Sequence, residues 1–234
     1  MVKAYIYLAI AAILPVGLAS LLFVIDKHTP FNKLNKWVKQ VVYGIIFGGL
    51  AVIGTHRGIN IEGAVVNARD AAVIIAGLGF GWPAGLIAGF IGGIERFLVG
   101  QFMPDLFGFT KIACSVSTLL AGMVSALIRR WMYDDQKPSF ISAALLGAVI
   151  ETFHLLMVFV TNSNQYVKAY KVVDACTIPM IAANSLSVLF GILVLQALEN
   201  KKNAFRKPDF RSLSHIFQNR PFRVLRMRNG LFLN

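Results

Sequence analysis

Charge is scarce in this 234-residue chain, at 15% of residues, and acid is scarcer still: 11 Asp and Glu stand against 23 Lys and Arg. A soluble domain carries charge on about a quarter of its residues, so a soluble globular fold is excluded. Cysteine is limited to Cys114 and Cys176, far apart and in or beside apolar runs. That spacing offers neither a disulfide framework nor a paired zinc site, and both read as small buried hydrophobes. There is no phosphate-cradling Gly-Lys-Ser/Thr loop and no nucleophile elbow. No soluble stretch is present to hold a kinase, cyclase or phosphatase. No fixed-period repeat and no low-complexity linker divides the chain. The sequence therefore leads us to expect no catalytic residues, no cofactor and no metal.

What is present is apolar length. Hydrophobic residues make up 56% of the chain. The runs Ala4–Ile25, Val38–Thr55, Ala71–Leu98, Ile112–Ile128, Ile141–Val160 and Thr177–Leu198 are each long enough to reach across roughly 30 Å of hydrocarbon. The expected fold is all-α: a polytopic membrane bundle of six to seven transmembrane segments. The first run is too long for the core of a cleaved signal peptide, so it reads as a retained helix kinked at Pro15.

Gly77, Gly81, Gly85, Gly89 and Gly93 recur at four-residue intervals inside the third run. In a soluble helix each would cost about 1 kcal/mol relative to alanine. In lipid the spacing strips one helix face and lets another backbone approach closely. Gly81-Trp82-Pro83 interrupts the series, because proline removes a donor and disfavours helix in the residue before it. The expectation is two short segments joined at this Gly-x-Pro break, with Gly81 and Pro83 as the hinge and Gly85, Gly89 and Gly93 as packing positions. Non-helical backbone at that depth must be buried in protein or line a cavity.

Charge bias sets the orientation. Residues 199–234 hold nine Lys and Arg against Glu199 and Asp209. They read as a basic cytoplasmic tail, and the phenylalanines among the bases suit anionic lipid headgroups. No groove-reading or base-stacking pattern supports nucleic acid as a partner. With that tail inside, the loop holding Lys27, Lys33, Lys36 and Lys39 also falls inside only if residues 71–98 cross an even number of times. The expected organisation is a membrane domain over 1–198, the tail over 199–234, and no output domain. The expected setting is the bacterial inner membrane with the C-terminus cytoplasmic.

Ionisable groups at membrane depth are costly, about 2.5–3.5 kcal/mol each on insertion scales, so each demands a reason. Asn67, Arg69 and Asp70 precede the third segment. They either cap its start and snorkel or line a site at the outer mouth. Glu95 and Arg96 end it. Arg96 shares a helix face with Gly85, Gly89, Gly92 and Gly93, so it points along the close-packing face; the pair either snorkels at the helix end, or Arg96 turns inward to bind an anion or pair with a buried carboxylate. Glu151 is such a carboxylate, central in its run, with His154 one turn later. An ionised glutamate at that depth needs a partner or a proton, which His154 could share or relay. The alternatives are a structural interhelical pair, a ligand contact or switch, or a metal pair of the Glu-x-x-His kind, for which no second matching motif exists. Asn184, after Pro179 in the last run, suits an interhelical hydrogen bond.

These features occur in a recognisable order: Asn67-Ala68-Arg69, then Ile75–Leu78, Gly81-Trp82-Pro83, Gly85–Gly89, and Arg96 with Gly100. Glu151/His154 and Pro179/Asn184 follow. Over residues 38–198 the chain resembles the LytS/YhcK-type five-transmembrane receptor domain of bacterial sensor proteins. The resemblance implies a membrane input module, of the kind that precedes histidine kinase, diguanylate cyclase or phosphatase domains, with some members linked to cell-wall state. It implies signalling through a cytoplasmic output, either on a longer chain or as a separate partner, and a homodimer is expected. The alternative function is the small substrate-binding subunit of a vitamin-type transporter, which also uses broken helices and midplane polar groups.

Overall fold

The computed structural model describes residues 2–61 and 64–205. The chain divides into two units, Met1–Leu198 and Glu199–Asn234. Most of the second unit, including the basic tail expected to meet lipid headgroups, lies outside the described residues.

The elements are α1 (Val2–His28), α2 (Lys36–His56), a hairpin of β1 (Ile59–Ile61) and β2 (Ala64–Val66), α3 (Arg69–Ile75), α4 (Trp82–Phe102), α5 (Lys111–Met132), α6 (Phe140–Thr161) and α7 (Tyr166–Phe205). Among the described residues, six helices are long and apolar enough to cross a membrane, and α3 is a seventh, short segment. The architecture is the expected all-α polytopic bundle. The antiparallel hairpin, which pairs Ile59 with Val66, is additional.

The order of contacts along the helices fixes their directions. Gly44 of α2 meets Ile87 of α4, Gly48 meets Ile91, and Ala51 meets Gly92. His56 meets Glu95. Positions on the two helices climb together, so α2 and α4 are parallel. The segment between them must run back the other way. It does: Arg69 lies beside Thr55, and eleven residues on, the Phe80 carbonyl accepts from Gln40. Residues 71–98 therefore comprise a return stroke and an outward one.

The break between these strokes has a local cause. α3 passes into a π turn over Ala76–Phe80, and α4 begins with proline in its first turn. Gly81 joins them at φ 135°, a conformation open only to glycine at low cost. The Leu78 carbonyl, freed from the regular ladder, accepts from Arg129 Nη1 at 2.5 Å. Only the first of the two segments is short. α4 continues past Leu98 to Phe102 and, at 21 residues, is a full-length span, because its apolar face extends beyond the Glu95-Arg96 pair. α7 likewise starts well before Thr177, with Pro179 inside it.

The glycines divide by neighbour. Gly89 packs on the backbone of Gly122 in α5, Gly93 on the Ser115 carbonyl, and Gly85 between Gly77 and Gly122. Large apolar side chains on the outer faces, such as Phe90, Leu145, Val149 and Val160, are more than half exposed. That distribution suits hydrocarbon surroundings rather than water.

Candidate functional site

The α3 N-terminus carries Arg69 and Asp70 into the bundle interior, each only 2% exposed. Their entry is set by caps. Asn67 Oδ1 accepts from the Arg69 amide at 3.1 Å. Asn184 of α7, fully buried, accepts from the Ala71 amide at 2.9 Å and donates to the Asn67 carbonyl at 3.4 Å. Two amides left without helical partners are thereby satisfied, one of them by a helix 113 residues away.

Asp70 is the hub. Its Oδ1 accepts from Thr118 Oγ1 at 2.6 Å and from Arg69 Nε at 3.4 Å. Its Oδ2 faces His154 Nδ1 at 2.7 Å. Arg69 also donates to Thr55 Oγ1 at 3.3 Å and to the Cys114 carbonyl at 3.4 Å. One ion pair therefore ties α2, α3, α5 and α6 together, and Asn184 adds α7. Glu151 and His154 lie one turn apart on the buried face of α6, above Gly147, which lets Ser185 and Val188 of α7 close in. Glu151 Oε1 is 3.4 Å from His154 Nδ1, yet neither Glu151 oxygen has a hydrogen-bond partner among the described residues.

The other expected residues divide. Arg96 is buried, as its glycine face required, but it does not pair with Glu151. Its Nη2 donates to Thr110 Oγ1 at 2.9 Å and to the Phe107 carbonyl at 3.1 Å, and its guanidinium sits 5.0 Å from the Phe107 ring centre. Its Nη1 has no hydrogen-bond partner among the described residues. Glu95 faces His56 Nε2, 2.8 Å distant, with the imidazole about half exposed and both Glu95 carboxylate oxygens buried. The partner of the α6 pair is Asp70, because α3 rather than α4 faces α6 at that depth.

Cys114 was not foreseen. Its carbonyl accepts from Arg69 Nη2 at 3.4 Å, and its buried thiol lies close enough to His154, Arg69 and Arg96 to interact with their charges. The only sequence signal was its place beside Ser115, Ser117 and Thr118, a polar stripe on an otherwise apolar helix. A crevice of about 30 Å³ is lined by Arg57, Asn67, Ala68 and Arg69 among others. It has room for about one water and leads from the hairpin end toward the ion pair.

The profile of a sensor family, described as the 5TMR of 5TMR-LYT, matches residues 7–197. The sensor histidine kinase YpdA of Escherichia coli K12 is 33% identical over 159 residues, which cover 68% of this chain and 26% of that protein. The sensor histidine kinase BtsS of the same strain is 26% identical over 167 residues, covering 70% and 28%. The sensor protein LytS of Bacillus subtilis 168 is 26% identical over 249 residues, covering 97% and 40%. The chain thus spans between about a quarter and two fifths of the length of these relatives. No solved structure matches.

Proposed function

The chain belongs to the 5TMR-LYT family of five-transmembrane receptor domains, and from that premise we propose that its buried Arg69–Asp70–His154–Glu151 network is the element that responds to the stimulus. The chain is a multi-pass membrane sensor domain homologous to the sensing regions of LytS, YpdA and BtsS. Those relatives favour sensing over the transporter-subunit alternative.

The observation that carries the reading is one of burial. Asp70, Glu151, His154 and Arg69 are almost wholly withdrawn from solvent at a depth where each ionisable group is expensive. Arg69 and Asp70 lie on a short helix that ends in a π turn, a geometry often found at functional sites. Whatever changes charge or occupancy there alters the packing of α3. Asn184 then passes the change to α7, and Arg129 passes it through Leu78 to the loop after α5. Such a shift between two packings is how a packed bundle transmits a local event.

We place the C-terminus in the cytoplasm. The loops with Lys27, Lys33, Lys36 and Lys39 and with Arg129, Arg130 and Lys137 gather at one end of the bundle, linked through Gln40–Phe80, Arg129–Leu78 and Gln196–Pro138 contacts. That end is inside by the positive-inside rule. The partner there is a cytoplasmic kinase-type output, on the same polypeptide or another, with the domain working as a homodimer.

The test is a chimera joining residues 1–198 to the kinase portion of a LytS-type relative, with autophosphorylation measured in membranes. Asp70→Asn and His154→Gln should fix the output in one state, at least fivefold from wild type in either direction. The lipid-facing control Leu145→Ala should not. Wild-type behaviour in both buried variants, with normal expression and thermal stability, would sink the proposal.

A further inference from the structure

Glu151 is the carboxylate that the network leaves unanswered. Asp70 has Arg69 for its charge and Thr118 for its Oδ1. Glu151 is fully buried, and neither oxygen has a hydrogen-bond donor among the described residues. A carboxylate in that position calls for a cation or a proton. Its surroundings supply the rest of a coordination set. One ligand atom each from Asp70, Glu151 and His154 lies within 4.8 Å of the other two. The His154 Nδ1 separations are 2.7 Å to Asp70 Oδ2 and 3.4 Å to Glu151 Oε1. Two ligands held about 2.0–2.2 Å from one ion at tetrahedral or octahedral angles are roughly 2.8–3.6 Å apart, so the His154–Glu151 separation already fits an ion and the His154–Asp70 separation needs to open only slightly. Thr118 and Arg69 hold Asp70 through Oδ1 and leave Oδ2 directed inward. They thus serve as the outer support that first-row metal sites use to orient a ligating carboxylate.

We infer that Asp70, Glu151 and His154 bind one first-row divalent metal ion of the Zn²⁺ or Mn²⁺ kind. This rests on the reading of the same cluster as the sensing centre, and it names a ligand class for that centre. One imidazole nitrogen with two carboxylates suits such an ion better than Mg²⁺ or Ca²⁺, which prefer all-oxygen cages. Three protein ligands leave a coordination position open, as in sites that exchange a ligand. A ligating imidazole nitrogen and carboxylates must be free of protons, so binding competes with protonation and weakens as pH falls.

The test uses the purified chain in detergent micelles, stripped with a chelator and titrated with Zn²⁺ and, separately, Mn²⁺. Bound metal is counted by mass spectrometry, and affinity is measured by calorimetry at pH 7.5 and 6.0. One equivalent is expected, with affinity at least tenfold weaker in Glu151→Gln and in His154→Gln and weaker at the lower pH. Metal should raise the unfolding temperature of wild type but not of Glu151→Gln. The pair His56 and Glu95 is the internal control, and His56→Ala should leave the equivalent in place. No bound metal, unchanged affinity in Glu151→Gln, or loss of the equivalent in His56→Ala each overturns the site. The chimera separates this result from the sensing reading. A Glu151→Gln chimera that loses its response while wild type binds no metal removes the metal and keeps the sensing centre. Metal bound with signalling unaltered by Glu151→Gln keeps the site and removes its role in sensing.

Discussion

Replacing Asp70 by leucine removes the acceptor for three donors at once: Thr118 at 2.6 Å, His154 at 2.7 Å and Arg69 Nε at 3.4 Å. The guanidinium of Arg69, 2% exposed, keeps as hydrogen-bond partners among the described residues the neutral Thr55 hydroxyl and Cys114 carbonyl. Breaking a buried pair by deleting one member costs about 3–5 kcal/mol, because the remaining charge stays uncompensated. For a domain of this size that corresponds to a fall of roughly 6–20 °C in unfolding temperature. The same physics predicts the rescue. Arg69→Met in the Asp70→Leu background removes the orphaned charge, and the double variant should recover more than half the loss. Cys114 and Cys176 are buried free thiols, so a thiol-reactive fluorogenic dye reports unfolding without added labels. A single variant within 2 °C of wild type would refute the reasoning. So would a double variant as unstable as the two singles combined, since that would mean the charges do not depend on each other.

Three further outcomes follow from the packing. A Cβ on Gly122 would lie 2.5 Å from the Gly85 carbonyl and 2.8 Å from Gly89 Cα. Gly122→Ala should therefore separate α4 from α5 at a cost of about 1–3 kcal/mol, read as a lower unfolding temperature by the same dye. Gly81→Ala forces a side chain into φ 135° and against Gln40; the strain costs about 1–3 kcal/mol, and Gln40→Ala should relieve only the contact part of it. Asn184→Ala strands the Ala71 amide inside the bundle and should cost about 1 kcal/mol, within the range of single interhelical hydrogen bonds in membranes. Asn184→Asp, which keeps the acceptor, should cost less unless its charge is left unpaired, and hydrogen exchange at Ala71 distinguishes the two.

The bundle and its break were legible because they follow from solvent and sterics. Apolar run length reports hydrocarbon thickness, and Gly81-Trp82-Pro83 reports backbone that cannot continue a helix. The inward direction of Arg96 was legible too, since the glycines on its face leave nothing else there to contact lipid. Its partner was not. Position along α6 fixes which face Glu151 occupies but not which helix stands opposite, and that depends on α3 returning between α2 and α4. Cys114 escaped for a related reason: one cysteine in an apolar helix has no periodicity, and its setting comes from His154, forty residues along the chain. The hairpin carried a signal that went unread, in the β-branched pairs flanking Glu62-Gly63, which is the pattern of two short strands around a glycine-containing turn.

The short return stroke also bears on biogenesis. Residues 69–80 are about 18 Å of helix at 1.5 Å per residue, below the roughly 20 residues that a translocation channel releases into lipid as a span, and they begin with two charges. Such a segment does not partition by itself. α2 and α4 are parallel, so neither can settle until it has crossed between them. The side-chain partners of Asp70 on other helices, Thr118 and His154, and Asn184, which accepts from the Ala71 amide, are all made later on the ribosome. The ionic centre is then completed only when α5, α6 and α7 have arrived, and the same residues that hold the centre together set the order in which the domain assembles.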